Sequence, residues 1–343
     1  MVNPLVSIVM SVFNGEEYVQ DAILSILNQT YTNFELIVIN DCSTDNTKTI
    51  ILSNNDSRIT YIENNENLGL TKSLNKGLRF SNGKYIVRMD ADDISLPTRI
   101  EKQVKFMENN DDVGVLATWA YYFGEKNGLI NTIRDDFESI GSELIFGCPI
   151  VHPSVIIRKC LIERYNLYYD ESIKKSQDYD LWSRCKSHFP IRILEEPLLL
   201  YRVHEDQITN KSKEQQKEIT TNIQYRLLRE LDIEPSYIDI QSHSILCGNI
   251  PSGEFSIESV NNWTDYLFRS KKNENKVFIK TLMKRYFIFV IKTVMDNPQK
   301  ILVFFKSNMF WRAARPSNYL IYSKTIYSSI RIRFKKYNHL EYR

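Results

Sequence analysis

Short apolar runs that end in polar turns alternate with segments of helical spacing over the first hundred residues, and this rhythm constrains the fold more than any other feature. Leu5 to Phe13 (LVSIVMSVF) reads as a buried strand, and Tyr18, Ala22, Ile26 and Leu27 follow at helical intervals. Phe34 to Asn40 (FELIVIN) is a second strand. A helix over Thr44 to Ser53, a strand over Ile59 to Ile62 and a helix over Leu70 to Phe80 come next, before a further strand, Tyr85 to Met89. Repeated strand–helix–strand units predict an α/β protein with a mostly parallel sheet flanked by helices.

Pro97 opens a helix where its missing N–H costs nothing, with Ile100, Val104 and Met107 on the apolar face. The pattern then loosens. Val113 to Ala117 reads as a strand, Gly124 to Gly128 as a hairpin-like turn, Phe137 to Phe146 as a helix and His152 to Arg158 as a β-rich run. A helix over Asp178 to Lys186 and a strand over Leu198 to Arg202 complete a first domain, placed at residues 1–210. Residues 211–343 are helical, Lys- and Asn-rich, and free of repeats.

A chain of 343 residues with 43% hydrophobic and 25% charged residues can bury a sizeable core. The five cysteines are scattered, with no C-x-x-C pair and no leader-like segment ahead of them, which suits a reducing cytoplasm. No run reaches the roughly 18 apolar residues of a membrane-spanning helix, so a spanning protein is not expected. The net charge of +2 hides an asymmetry: residues 271–343 hold 17 Lys or Arg against Glu274, Asp296 and Glu341, a balance of +14. Segments such as KVFIKTLMKRYFIFVIKTV and YSKTIYSSIRIRFKKY mix bases with bulky apolar residues. They suit either a helical extension packed on the body or an anionic membrane surface; nucleic acid is not the expected partner.

Ligands of open α/β sheets bind at the carboxyl ends of the strands. Three strands here end in Phe13-Asn14-Gly15, in Asn40-Asp41-Cys42-Ser43-Thr44-Asp45 and in Asp90-Ala91-Asp92-Asp93. Taken alone, the second string is an ordinary strand-to-helix turn with a helix cap. Three carboxylates within four residues repel one another unless a cation, a base pair or solvent relieves them. Acids on neighbouring strand ends can hold a base or ribose and anchor a divalent cation bearing a diphosphate, with Mg2+ or Mn2+ the natural hard ion.

The segments VSIVMSVFNGEEYVQDAILSILNQTYTNFELIVINDCSTDNT, ENNENLGLTKSLNKGLRFSNGKYIVRMDADD, SQDYDLWSR and YRVHEDQIT, in that order, resemble the family-2 glycosyltransferases of GT-A fold, over residues 5 to about 210. The resemblance implies that Asp41 recognises uracil or another base, and that the strand end carrying Val12 and Asn14 lines the same pocket. Asp90, Ala91 and Asp92 match the D-x-D motif, whose acids contact ribose and, through Mn2+ or Mg2+, the diphosphate. Asp178 falls on the general base, with Gln177 where the family commonly has Glu. His204 resembles a histidine that closes over the diphosphate as a metal ligand or phosphate contact. His152-Pro153-Ser154 is similar to an acceptor-side segment.

Ser176 is positioned to cap the helix of Asp178, and Trp182 either offers a ring to the acceptor sugar or packs in the core. The function expected is inverting transfer of a hexosyl or N-acetylhexosaminyl group from a UDP-sugar, or another nucleotide sugar, to a hydroxyl of a glycan or lipid-linked glycan. Bacterial surface polysaccharide is the expected product. A lipid-linked acceptor would place the protein at the inner face of the cell membrane. A catalytically silent nucleotide-sugar-binding scaffold is the competing reading, and the intact acids argue against it. No G-x-G-x-x-G opens the first helix, which sets a dehydrogenase aside.

Overall fold

In the computed structural model, which describes residues 3–131, 137–204, 213–251, 254–271 and 275–313, the chain divides into two units, Met1–Leu227 and Leu228–Arg343. The first unit runs β1 (Val6–Val12), α1 (Val19–Leu27), β2 (Phe34–Asn40), α2 (Thr47–Ser53), β3 (Ile59–Glu63), α3 (Leu70–Phe80) and β4 (Tyr85–Asp90). It continues through β5 (Ile94–Ser95), α4 (Arg99–Glu108), β6 (Val115–Gly124), β7 (Gly128–Ile130), α5 (Phe137–Glu143), β8 (Ile156–Arg158) and α6 (Lys159–Tyr165). Last come α7 (Gln177–Cys185), β9 (Ile191–Val203) and most of α8 (Lys213–Arg229). One sheet has the order β3-β2-β1-β4-β8-β6-β9-β5, with β7 paired to β6.

β1, β2 and β4 are nearly continuous apolar runs because helices cover both of their faces. On one face Ile8, Met10, Val38 and Val87 pack with Ala22, Ile23 and Ile26 of α1 and Ile100 and Val104 of α4. The opposite face carries the buried Val9, Ile37 and Ile39, and α3 lies against it so closely that a Cβ at Gly77 would stand 2.4 Å from Val9 Cγ1 and 2.9 Å from Ile39 Cδ1. Each such aliphatic side chain contributes roughly 1.5–3 kcal/mol through burial.

Strand register positions the site. β1 is parallel to both β2 and β4, with Val12 opposite Asn40 and Ser11 opposite Asp90, so the three polar strand ends stand level on one edge. Beyond β4 the sheet turns antiparallel through β8, and β6 and β9 run parallel to each other.

Several elements differ from the sequence expectations. α2 starts at Thr47 rather than Thr44, because residues 41–46 are spent in a turn. β6 runs on to Gly124, and β9 starts at Ile191 rather than Leu198, because long pairing between the two overrides local preference; Pro197 is absorbed at a shift of register opposite Trp119. α5 ends at Glu143, with turns continuing to Phe146. The run His152 to Arg158 is strand only at Ile156–Arg158, since His152–Ser154 form a 3-10 turn in which Ser154 Oγ bonds Val151 O and Thr118 O. The units part after Leu227, not at residue 210. Ile223 and Leu227 of α8 are buried, and Arg226 of the same helix pairs with Asp180.

The second unit consists of α9 (Tyr237–Leu246), α10 (Ile257–Lys271), α11 (Lys276–Asp296), α12 (Ile301–Phe305) and α13 (Asn308–Ala313). Ser236 and Asp239 form a capping box that starts α9, and Asn275 caps α11. Phe278, Leu282, Tyr286 and Phe289 make a helical stripe that is buried within this unit, where Tyr286 Oη bonds Asn261 Oδ1 at 2.7 Å. Among the described residues no helix is long and apolar enough to cross a membrane. The basic segment at 322–337 lies outside the described residues.

Candidate active site

Two loops are clasped together at the ends of β1 and β2. The Asn14 N–H donates to Ser43 Oγ, and Asn14 Oδ1 accepts from Thr44 N–H at 2.8 Å. Gly15 N–H reaches Thr47 Oγ1, Glu16 N–H reaches Asp45 Oδ2, and Glu16 in turn accepts from Asn46. Both Asn14 (φ 50°) and Cys42 (φ 62°) are left-handed, the conformation that makes these turns tight. Asn14 is therefore committed to shaping the rim. Val12 gives its side chain to the core and its carbonyl to Asp41 N–H at 2.8 Å. Phe13, between them, leaves 49% of its surface exposed.

Asp41 is buried, and its carboxylate is well supplied with donors. Oδ1 accepts from Asn64 Nδ2 at 2.7 Å and from Leu68 N–H at 2.9 Å, and Oδ2 accepts from Gly69 N–H at 2.8 Å. The residue thus fixes the loop that leads into α3 and keeps a lone pair of Oδ2 unspent.

The acids after β4 are in the opposite condition. One oxygen from each of Asp90, Asp92 and Asp93 falls within 4.8 Å of the others. Asp93 is buried; its Oδ1 accepts from Arg202 N–H at 2.8 Å, and its Oδ2 has no partner. Burial, reinforced by Asp90 and Asp92, raises the Asp93 pKa well above the carboxylate range. Asp90 is also raised, by burial and by repulsion from Asp92 and Asp178, with the Arg88 ion pair opposing. Asp92 faces His204, whose Nε2 lies 3.0 Å from Asp92 Oδ2, while Arg202 Nε donates to the Asp92 carbonyl at 2.7 Å. Tyr18 backs this corner, with its ring centroid 5.0 Å from that of His204 and 4.4 Å from the Arg202 guanidinium carbon. Ala91 packs, partly buried, against the core. Oxygen-rich, crowded and short of counter-charge, the cluster fits a hard divalent cation.

α7 separates its two acids sharply. Asp180 is buried and discharged by Arg184 Nε and Arg226 Nη2, each at 2.9 Å. Asp178 has neither cation. Burial raises its pKa, opposed by N–H groups of Tyr179 and of Asp178 itself and by the charge of Arg88. The expected Ser176 cap is absent: Ser176 is left-handed (φ 54°) and makes no capping side-chain bond, so helix-end N–H groups fall to Asp178 instead. Trp182 is fully buried, which removes the reading of an exposed ring for a sugar; its Nε1 has no partner. His152 Nε2 meets Tyr169 Oη at 2.7 Å, and burial pushes the imidazole far below its usual pKa, so it is neutral. Burial and the charge of Asp178 raise the Cys148 thiol.

Asp90, Asp92, Asp93, Asp178 and His204 thus come together, with Asp41 and Asn14 on the neighbouring strand ends. Arg88, which no sequence motif singles out, is almost wholly buried, pairs with Asp90, and leaves Nε and Nη1 without hydrogen-bond partners among the described residues. Its signal was present as one charge in the apolar strand YIVRMD.

Level strand ends thus carry an acid cluster fit for a cation, with a separate helix-borne carboxylate beside it. The model of glycosyl transferase family 2 matches residues 7–172. A protein of Methanocaldococcus jannaschii named as an uncharacterized glycosyltransferase is 38% identical over 224 residues, covering 63% of this chain and 77% of its own. The chain belongs to glycosyl transferase family 2 and is a glycosyltransferase. Its fold is similar to that of Staphylococcus aureus TarS 1-349, solved with UDP-GlcNAc (TM-score 0.59, 18% identity, 81% of this chain and 82% of that one). It is also similar to the mannosyltransferase PcManGT of Pyrobaculum calidifontis, solved with GDP-Man and Mn2+ (TM-score 0.51, 14% identity, 87% and 89%).

Proposed function

We propose that this glycosyltransferase is inverting and metal-dependent, and that it moves a hexosyl or N-acetylhexosaminyl group from a UDP-sugar to a hydroxyl of a glycan or lipid-linked glycan in surface polysaccharide synthesis. One observation carries the reading: Asp178, on α7, is near enough to raise the Asp90 pKa by its charge, yet among the described residues it has no ion-pair partner such as Asp180 has. A carboxylate beside the acid cluster and outside its ion pairs is what proton abstraction next to a departing diphosphate requires.

In this mechanism the exposed ring of Phe13 stacks on the base, and Asp41 accepts a base N–H with the unspent lone pair of Oδ2. Asp90 holds the ribose. Asp92 and His204, with Asp90 beside them, would hold Mn2+ or Mg2+, which when bound offsets the negative charge of the leaving diphosphate. Asp178 takes the proton of the acceptor hydroxyl as that oxygen attacks the anomeric carbon from the face opposite the leaving group, so configuration inverts. The low-dielectric setting that raises the Asp178 pKa makes it a stronger base than a solvated aspartate. Residues up to about 227 carry donor binding and catalysis, and the helical remainder serves the acceptor side.

A panel of nucleotide sugars, assayed for nucleoside diphosphate release with and without Mn2+ or Mg2+, tests the reading. The expected result is metal-dependent release from one UDP-sugar, with an anomeric NMR signal of inverted configuration in the product. Retention, or equal turnover in excess chelator, would overturn it.

A further inference from the structure

The helix α12 is only five residues long, yet it turns three large apolar side chains outward: Leu302, Val303 and Phe305 are 63%, 41% and 44% exposed. Trp311 of α13 is 58% exposed beside them. This is not a frayed end, because Phe304, Met309 and Ala313 are buried beneath and fix both helices to the second unit. The rings are also fixed to one another. Phe305 and Trp311 stack with centroids 5.6 Å apart, Phe310 meets each edge-on, and Trp311 Nε1 donates to the Phe305 carbonyl at 2.9 Å. With its N–H satisfied inside the corner, the indole presents only hydrocarbon outward.

We infer that this α12–α13 corner docks on an anionic lipid bilayer. Large contiguous apolar surface on a soluble unit marks an interaction site, and its surroundings choose the occupant. Residues 275–313 hold eight Lys or Arg against Asp296 alone; Arg312 is spent in an ion pair with Asp265, whereas Lys300 and Lys306 bracket α12 itself. Cations around an aliphatic and aromatic knob match headgroup phosphates above an acyl boundary, where burial and charge act together. The long basic helix α11 is not the docking element, because its own apolar stripe is buried within the unit. Docking of this corner is independent of sugar transfer and is measured without turnover.

The test is co-sedimentation of the full chain with vesicles of phosphatidylcholine alone and of phosphatidylcholine mixed with phosphatidylglycerol. Binding to the mixed vesicles is expected, falling at least about tenfold in the triple variant Leu302→Ser, Phe305→Ser, Trp311→Ser. A similar fall of at least about tenfold is expected for Lys300→Glu with Lys306→Glu, which removes no apolar side chain from the corner and so covers the case in which the triple variant does not fold. Brominated lipid should quench part of the wild-type tryptophan fluorescence, and Trp311→Phe should abolish that quenching while vesicles are still bound. Failure of the wild-type chain to bind mixed vesicles, equal binding to neutral ones, or full binding by both variants would overturn the inference. So would a dimer in sedimentation that the triple variant converts to monomer, which would make the corner a self-association face.

Discussion

Asp41 and the Asp90–Asp93 cluster stand on level strand ends, one strand apart from each other, and their surroundings are opposite. Asp41 receives three N–H donors from a single loop, so its charge is absorbed by structure. The acids after β4 share one buried guanidinium, one backbone N–H and the His204 imidazole; Asp90 and Asp93 have raised pKa values, and Asp93 keeps an oxygen with no hydrogen-bond partner among the described residues. The first arrangement is complete without a ligand, whereas the second becomes complete only when positive charge arrives. The pair on α7 repeats the contrast within one helical turn, with Asp180 neutralised by two arginines and Asp178 left raised. Satisfied acids build the pocket, and the strained ones are where chemistry is expected.

The largest effect expected from this contrast is at Asp178. Asp178→Asn should lower transfer by about 10²–10⁴-fold while calorimetry finds donor affinity nearly unchanged. Asp180→Asn should instead appear in urea unfolding, because it strands Arg184 and Arg226; equal catalytic losses in the two variants would break the distinction. Next comes Arg88→Met, which removes the buried cation from the acid cluster and should cost about 3 kcal/mol of unfolding free energy. Millimolar Mn2+ should recover part of that loss if the cluster takes a cation, and no recovery would count against it.

Asp41→Asn is a smaller perturbation. An amide cannot accept all three N–H groups, so a loss of about 1–3 kcal/mol is expected, read from denaturant midpoints together with weaker UDP binding. The smallest effect is a displaced pH limb. A raised Asp178 pKa means that the carboxylate needed for catalysis forms only above the ordinary aspartate value of about 3.9, so kcat/KM should rise with pH through a higher value. The stability contribution has the opposite sign: it is fully present below about 3.9 and is lost as pH rises through the raised value. Loss of the limb in Asp178→Asn would assign it, and an unmoved limb would assign it elsewhere.

The N-terminal half of the sheet was legible because hydrophobic period and turn residues act locally: β1, β2 and β4 lie within a residue of the runs that predicted them. Legibility fell where pairing decided the outcome. β9 gained residues 191–197 by lying along β6, and the run at His152 lost its first half to a turn closed by Ser154. At the site, Asp90, Asp92, Asp178 and His204, named from the family resemblance, lie together in the structure. The burial of Trp182, the uncapped start of α7 and the role of Arg88 were not legible in the sequence.

By itself the sequence determined that acids would end two of the early strands and that a third acidic site would begin a later helix, since both follow from local periodicity and spacing. Only the tertiary structure decided which of those acids are neutralised. Hydrogen-bond supply and desolvation at one carboxylate depend on groups far away in the chain: Arg226 for Asp180, Arg202 for Asp93, and the loop before α3 for Asp41.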